Sequence, residues 1–125
     1  MSSSSNQILV IDDDRTVRES LVEFLSAHGY PAKSAASGGE ALQKLHRDPD
    51  VSLILLDLAM PVMDGRQFRH LQLDDPTISE IPVVIVSAEE YSDRTVEDLK
   101  PIAALKKPVH PDCLLGVVEA LAGPP

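Results

Sequence analysis

Four short apolar runs in this sequence each end in a residue able to take part in polar chemistry. Gln7-Ile8-Leu9-Val10-Ile11 ends in Asp12-Asp13-Asp14, and Val51-Ser52-Leu53-Ile54-Leu55-Leu56 ends in Asp57. Pro82-Val83-Val84-Ile85-Val86 ends in Ser87, and Ile102-Ala103-Ala104-Leu105 ends in Lys106-Lys107. Brought together, Asp12, Asp13 and Asp57 would repel one another, a like-charged pair at about 4 Å costing roughly 4 kcal/mol at an effective dielectric of about 20. A positive charge must therefore enter the cluster. A small set of oxygen ligands suits a hard cation such as Mg²⁺, with Mn²⁺ as an alternative, which keeps several waters and takes one or two carboxylates plus phosphate oxygens. A carboxylate beside such a cation, a hydroxyl and a lysine is equipped to attack phosphorus and form an aspartyl phosphate.

The elements that must position these groups are legible as an alternation. The four runs read as strands, and Leu53-Ile54-Leu55-Leu56, apolar at every position, reads as one buried on both faces of a parallel sheet. Pro31-Ala32-Lys33-Ser34-Ala35-Ala36 reads as a weaker strand, second in the chain. Between the strands, Val17, Leu21, Phe24 and Leu25 recur at helical spacing over residues 16–27, with Gly29 as the stop. Ala41, Leu42 and Leu45 mark a second helix, closed by Asp48-Pro49-Asp50, and residues 65–73 a third, closed by Asp74-Asp75-Pro76. A short, weakly amphipathic helix is expected at about 92–99, and a last one at 111–121 with Pro111 in its first turn. Five strand–helix alternations imply a doubly wound α/β fold with helices on both faces. All strand ends then share the carboxyl edge, where open α/β sheets build their sites.

Composition sets the outer limits. With 125 residues the chain has room for one core. A net charge of −9 argues against a nucleic-acid partner, since phosphate contacts need a basic face. The apolar runs are too short for a membrane span. Residues 1–6 are a polar, serine-rich lead-in without signal-peptide character, expected to be disordered, and 123–125 form a tail. A single cysteine, Cys113, allows no internal disulfide, which accords with a reducing cytoplasm.

Ile-Leu-Val-Ile-Asp-Asp-Asp, Leu-Leu-Asp-Leu-Ala-Met-Pro-Val-Met-Asp-Gly, Val-Ile-Val-Ser-Ala and Lys-Lys-Pro, in this order, resemble the receiver domains of two-component response regulators. The resemblance runs over residues 7–122. It implies a flavodoxin-like five-stranded parallel sheet ordered 2-1-3-4-5, with Asp57 as phosphoacceptor. It also implies Mg²⁺ on Asp13, Asp57 and the backbone carbonyl of Ala59, with Asp12 acting mostly through water. Ser87 and Lys107 would contact the phosphoryl group, and the Lys107–Pro108 bond would be cis. A histidine kinase or histidine phosphotransfer protein would donate, and a downstream protein would read the result. The receiver would be no enzyme beyond catalysing its own phosphorylation and dephosphorylation. It would stand alone or belong to a larger regulator or hybrid kinase.

Other residues have plainer readings. Asp14 and Asp64 read as helix caps, Lys106 as a solvated strand-end charge, and His28, His46, His70 and His110 as surface residues without metal-ligand spacing. A rival reading takes Asp12-Asp13-Asp14-Arg15-Thr16 as the nucleophile motif of haloacid-dehalogenase-like phosphatases, with Asp12 attacking. It leaves Asp57 unexplained. An FMN-binding flavodoxin shares the fold class, but three acids after the first strand would repel its phosphate. The chain departs from the receiver pattern at Ala104, where receivers carry Tyr or Phe, and at Lys100-Pro101, where a Gly-Ala pair is usual. A methyl group has no rotamer to swing. The response is therefore expected in residues 88–99 more than on the fifth strand.

Overall fold

The computed structural model describes residues 6–58, 65–87 and 97–125. Five strands, β1 (Ile8–Ile11), β2 (Ala32–Ala35), β3 (Leu53–Leu56), β4 (Val83–Ser87) and β5 (Ala103–Lys106), form one parallel sheet in the order β2-β1-β3-β4-β5. The helices are α1 (Arg15–Ala27), α2 (Gly38–Arg47), α3 (Gly65–Leu73) and α4 (Pro111–Ala122). The expected helix at 92–99 falls largely outside the described residues, of which 97–99 are helical. The expected cap Asp64 and the Ala59 carbonyl also lie outside them.

All residues of β1, β3 and β4 are buried, as their unbroken apolar runs require of strands covered on both faces. Two cores flank the sheet. Leu9, Ile11, Ile54 and Leu56 face Ala41 and Leu45 of α2 and Phe68 of α3. On the other side Ile8, Val10, Leu53 and Leu55 meet Leu25 of α1 and Leu114 and Val118 of α4. Alternate residues of one strand thus serve opposite cores, at about 1.5–3 kcal/mol per fully buried Leu or Ile. The edge strand β5 alternates half-buried and exposed residues, with Ala104 exposed.

Local signals hold the helix ends. Asp14 caps α1, its carboxylate accepting from the amides of Thr16 at 2.9 Å and Val17 at 3.2 Å. Ser37 caps α2 through the Glu40 amide, and Glu40 reaches back to the Ala36 amide, a reciprocal arrangement that satisfies donors at the helix start. At the amino edge of the sheet, far from the strand-end acids, the two ends of the described chain meet. Asn6 Nδ2 donates to the Pro124 carbonyl at 2.6 Å, and the buried Tyr30 hydroxyl donates to the Gly123 carbonyl at 2.5 Å.

Candidate functional site

Strand register decides which side chains meet. Ile11 pairs with Leu56, and Leu56 with Ile85, so β1, β3 and β4 run out nearly in line. One step further, the Asp57 amide donates to the Ile11 carbonyl at 3.0 Å, and Asp12 and Asp57 emerge side by side. Ser87 closes β4 opposite Lys106, and the Lys107 amide donates to the Ser87 carbonyl at 3.0 Å, which turns the Lys107 side chain back over the sheet edge. The Lys107–Pro108 peptide is cis.

The Lys107 ammonium lies 2.6 Å from Asp12 Oδ2 and 3.7 Å from Asp57 Oδ2. Both carboxylates are nearly sealed from solvent, at 3% and 6% exposure, while Asp13 is exposed. One carboxylate oxygen from each of Asp12, Asp13 and Asp57 lies within 4.8 Å of the others. At that separation each pair repels by about 3 kcal/mol at an effective dielectric near 20, less where Asp13 faces water. Lys107 meets part of this charge. Burial alone would lower its pKa, but the hydrogen bond and charge of Asp12, then the charges of Asp57 and Asp13, raise it above the ordinary lysine value. An all-oxygen donor set of this spacing fits a hard divalent cation.

The two buried acids are held differently. Asp12 is fixed at four points: its amide donates to the Ala35 carbonyl, its carbonyl accepts from Arg18 Nη1 at 3.0 Å, Oδ1 accepts from the Asp14 amide at 2.9 Å, and Oδ2 accepts from Lys107. Asp57 is held from behind by α3. The Gly65 amide donates to the Leu58 carbonyl at 3.0 Å, and a Cβ at Gly65 would fall on the Asp57 carbonyl oxygen and 2.7 Å from Leu58 Cα. Glycine is required there for close approach of two backbones. Beside the carboxylates, a largely apolar cleft of about 460 Å³ lies between α1 and the turn into α4, lined by residues including Val17, Leu21, Val86, Lys107 and Pro108.

The sheet edge thus gathers Asp12, Asp13, Asp57, Ser87 and Lys107, the five side chains that sequence reading singled out. The family model for the response regulator receiver domain matches residues 8–119. This chain belongs to the response regulator receiver family. Among curated relatives of this receiver, response regulator MprA of Mycobacterium leprae is 38% identical over 122 residues, covering 92% of this chain and 50% of its own length. The receiver therefore spans about half the length of the curated relatives it matches. Among solved structures, a response regulator receiver protein from Pseudomonas putida superposes with a TM-score of 0.88 at 26% identity, covering 95% of this chain and 99% of its own. The chemotaxis protein CheY4 of Vibrio cholerae gives 0.86 at 25% identity, with the same coverage.

Four contributors escaped the sequence reading. Arg18 steadies the Asp12 carbonyl, and a basic residue in the first turns of the helix after an acidic strand end was the available signal. In the sequence Gly65 carries the signal of a helix start only, and its contact with the Asp57 backbone comes from the fold. Arg69 and Gln72, both buried on α3, gave no signal at all, because polar residues at those positions look solvent-facing.

Proposed function

We propose that this receiver takes a phosphoryl group onto Asp57 from a phosphohistidine donor, a histidine kinase or histidine phosphotransfer protein, and passes on the change to a downstream protein. The observation that carries this reading is the placement of the Lys107 ammonium over two buried carboxylates, in contact with one and a step back from the other. Asp12 gives Oδ1 to the Asp14 amide and Oδ2 to Lys107, which suits a group that positions its neighbours. Asp57 ends the central strand, and its Oδ2 stands 3.7 Å from Lys107, beyond hydrogen-bond length. An ammonium at that remove can meet an oxygen of a phosphoryl group carried by Asp57. In the transfer an Asp57 oxygen attacks phosphorus as the bond from phosphorus to the donor nitrogen breaks, the electron pair leaving with the imidazole. Lys107 and the Ser87 hydroxyl hold the phosphoryl oxygens.

Asp13 and Asp57, with the Ala59 carbonyl, would hold Mg²⁺ or Mn²⁺ directly, and Asp12 through water. When bound, the cation supplies positive charge against the phosphoryl oxygens. The solvent-facing Asp13 leaves room for a hydrated ion, which suits Mg²⁺. The apolar cleft beside Lys107 gives the donor protein a surface from which to reach Asp57, in a cytoplasmic setting where such donors operate.

The test is labelling. The protein is incubated with a small acyl phosphate and Mg²⁺, and intact mass is followed. A gain of one phosphoryl group, lost in Asp57→Asn and lost on chelation, is expected. Labelling that persists in Asp57→Asn and disappears in Asp12→Asn would replace this reading with the phosphatase-like one.

A further inference from the structure

Arg69 is a charged residue in the wrong place for an ordinary surface helix. Its side chain on α3 is 5% exposed, and burial lowers its pKa. Nε donates to the Leu99 carbonyl at 2.7 Å, Nη2 to the Lys100 carbonyl at 2.9 Å and Nη1 to Gln72 Oε1 at 2.7 Å. Among the described residues no carboxylate meets it. Gln72, fully buried, donates to the Ile78 and Ile81 carbonyls and so ties the same helix to the loop before β4. Burying a guanidinium against neutral acceptors is costly, and an apolar side chain would fill the space without that cost.

The carbonyls that Arg69 grips belong to a strained joint. Lys100 has φ of 51°, the left-handed region that a lysine rarely adopts, and it links the helical residues 97–99 to β5. Just beyond it, the Ile102 amide donates to the Val83 carbonyl at 2.9 Å. On the outer side His70 pairs with Asp98 at 3.0 Å, so α3 and this joint are fastened twice. At its other end α3 begins at Gly65, one turn before Arg69 and against the Asp57 carbonyl. A contiguous route therefore runs from Asp57 through Gly65 and Arg69 to the joint at Leu99 and Lys100.

We propose that Arg69 is the positioning residue that couples occupancy of the Asp57 site to the backbone at residues 97–102, the role left open by Ala104. The proposal rests on the phosphoacceptor reading above. A displacement of α3 at Gly65 reaches the joint through the two Arg69 hydrogen bonds to the Leu99 and Lys100 carbonyls, and the left-handed Lys100 is a strained position that gains by relaxing.

The experiment adds beryllium fluoride, a phosphoryl mimic, with Mg²⁺ and follows amide hydrogen exchange at 97–102 and amide chemical shifts at Asp12 and Asp57. In the parent the mimic shifts the Asp57 amide and changes exchange at 97–102 by about fivefold or more, the low end of ordinary coupling between sites. In Arg69→Met the Asp57 response persists and the change at 97–102 is lost. Gln72→Leu removes an equally buried polar group but leaves the bonds to Leu99 and Lys100 available, so it should keep the coupling. A merely structural Arg69 would make both variants behave alike, which would overturn the proposal. Should the variants not fold, the Arg69 Hε resonance of the parent decides. A shift on adding the mimic supports the coupling, and an unmoved Hε beside a shifted Asp57 amide refutes it. No response at Asp57 in the parent would instead overturn the phosphoacceptor reading, and this proposal with it.

Discussion

Replacing Gly65 with alanine adds one methyl group where the start of α3 meets the backbone behind Asp57. The new Cβ would overlap the Asp57 carbonyl oxygen and approach Leu58 Cα to 2.7 Å and the Asp57 carbonyl carbon to 3.1 Å. All three obstacles are backbone, so no rotamer can make room, and the cost belongs at the upper end of overpacking, about 3 kcal/mol. Alanine's helix preference over glycine returns up to about 1 kcal/mol, leaving a net loss of about 2 kcal/mol. At roughly 2.1 cal/mol/K of unfolding entropy per residue, this lowers the melting temperature by about 8 °C for a chain of this size. Urea denaturation followed by circular dichroism should show a lower midpoint at unchanged slope. Gly116→Ala is the control. Gly116 sits inside α4, and a methyl group there would find nothing within 4 Å, so the same substitution should stabilise by about 0.5–1 kcal/mol. A Gly65→Ala midpoint equal to or above the parent's would refute the close-approach argument.

Three further outcomes follow from the site and its caps. Because the Lys107 pKa is raised in the fold, its contribution to stability is complete below the unfolded value near 10.5 and is lost as pH rises from there through the folded value. Tyr30 ionises in the same alkaline range, its pKa raised by burial, so the measurement is a difference. Stability of the parent minus that of Lys107→Met should fall above about pH 10.5, and a flat difference would count against the ion pair. Asp13→Asn should melt slightly higher than the parent in metal-free buffer and lose most of the rise expected from Mg²⁺, since the substitution removes one repelling charge and one proposed ligand. An equal Mg²⁺-induced rise in both proteins would remove Asp13 from the ligand set. Asp14→Ala should cost about 1 kcal/mol in urea unfolding through loss of the α1 cap, and a cost below about 0.3 kcal/mol would show that the cap bonds are not maintained.

Strand ends and acids were readable in advance because burial on both faces demands unbroken apolar runs, and Leu53-Ile54-Leu55-Leu56 has no other simple reading. Lys107 could be told from Lys106 through the family pattern alone; in the fold, the turn after β5 leaves Lys106 exposed and brings Lys107 to Asp12. Helix α3 shows where pattern reading stops. Phe68 and Leu71 are three apart and look like one apolar face, yet Leu71 is 47% exposed and Gln72 is fully buried. What selects Gln72 for the interior is a set of loop carbonyls contributed by Ile78 and Ile81, distant partners that no local periodicity encodes. The same holds for Arg69, whose carbonyl acceptors on Leu99 and Lys100 lie thirty and thirty-one residues away.

The contact between Asn6 and Pro124 bears on how the chain can be closed. In a variant cut to begin at Asn6 and end at Pro125, residues 6 and 124 already touch, and a short linker could join the two new ends into a covalent ring with little distortion of the folded state. Closing the backbone would remove freedom from the unfolded chain alone, and for a ring of this length the chain-entropy model gives a gain of about 4–5 kcal/mol. The seam would fall at the amino edge of the sheet, at the opposite end of β1 from Asp12. Cyclisation is thus a way to harden this protein against unfolding while leaving every carboxylate, and the lysine between them, where the linear chain puts it.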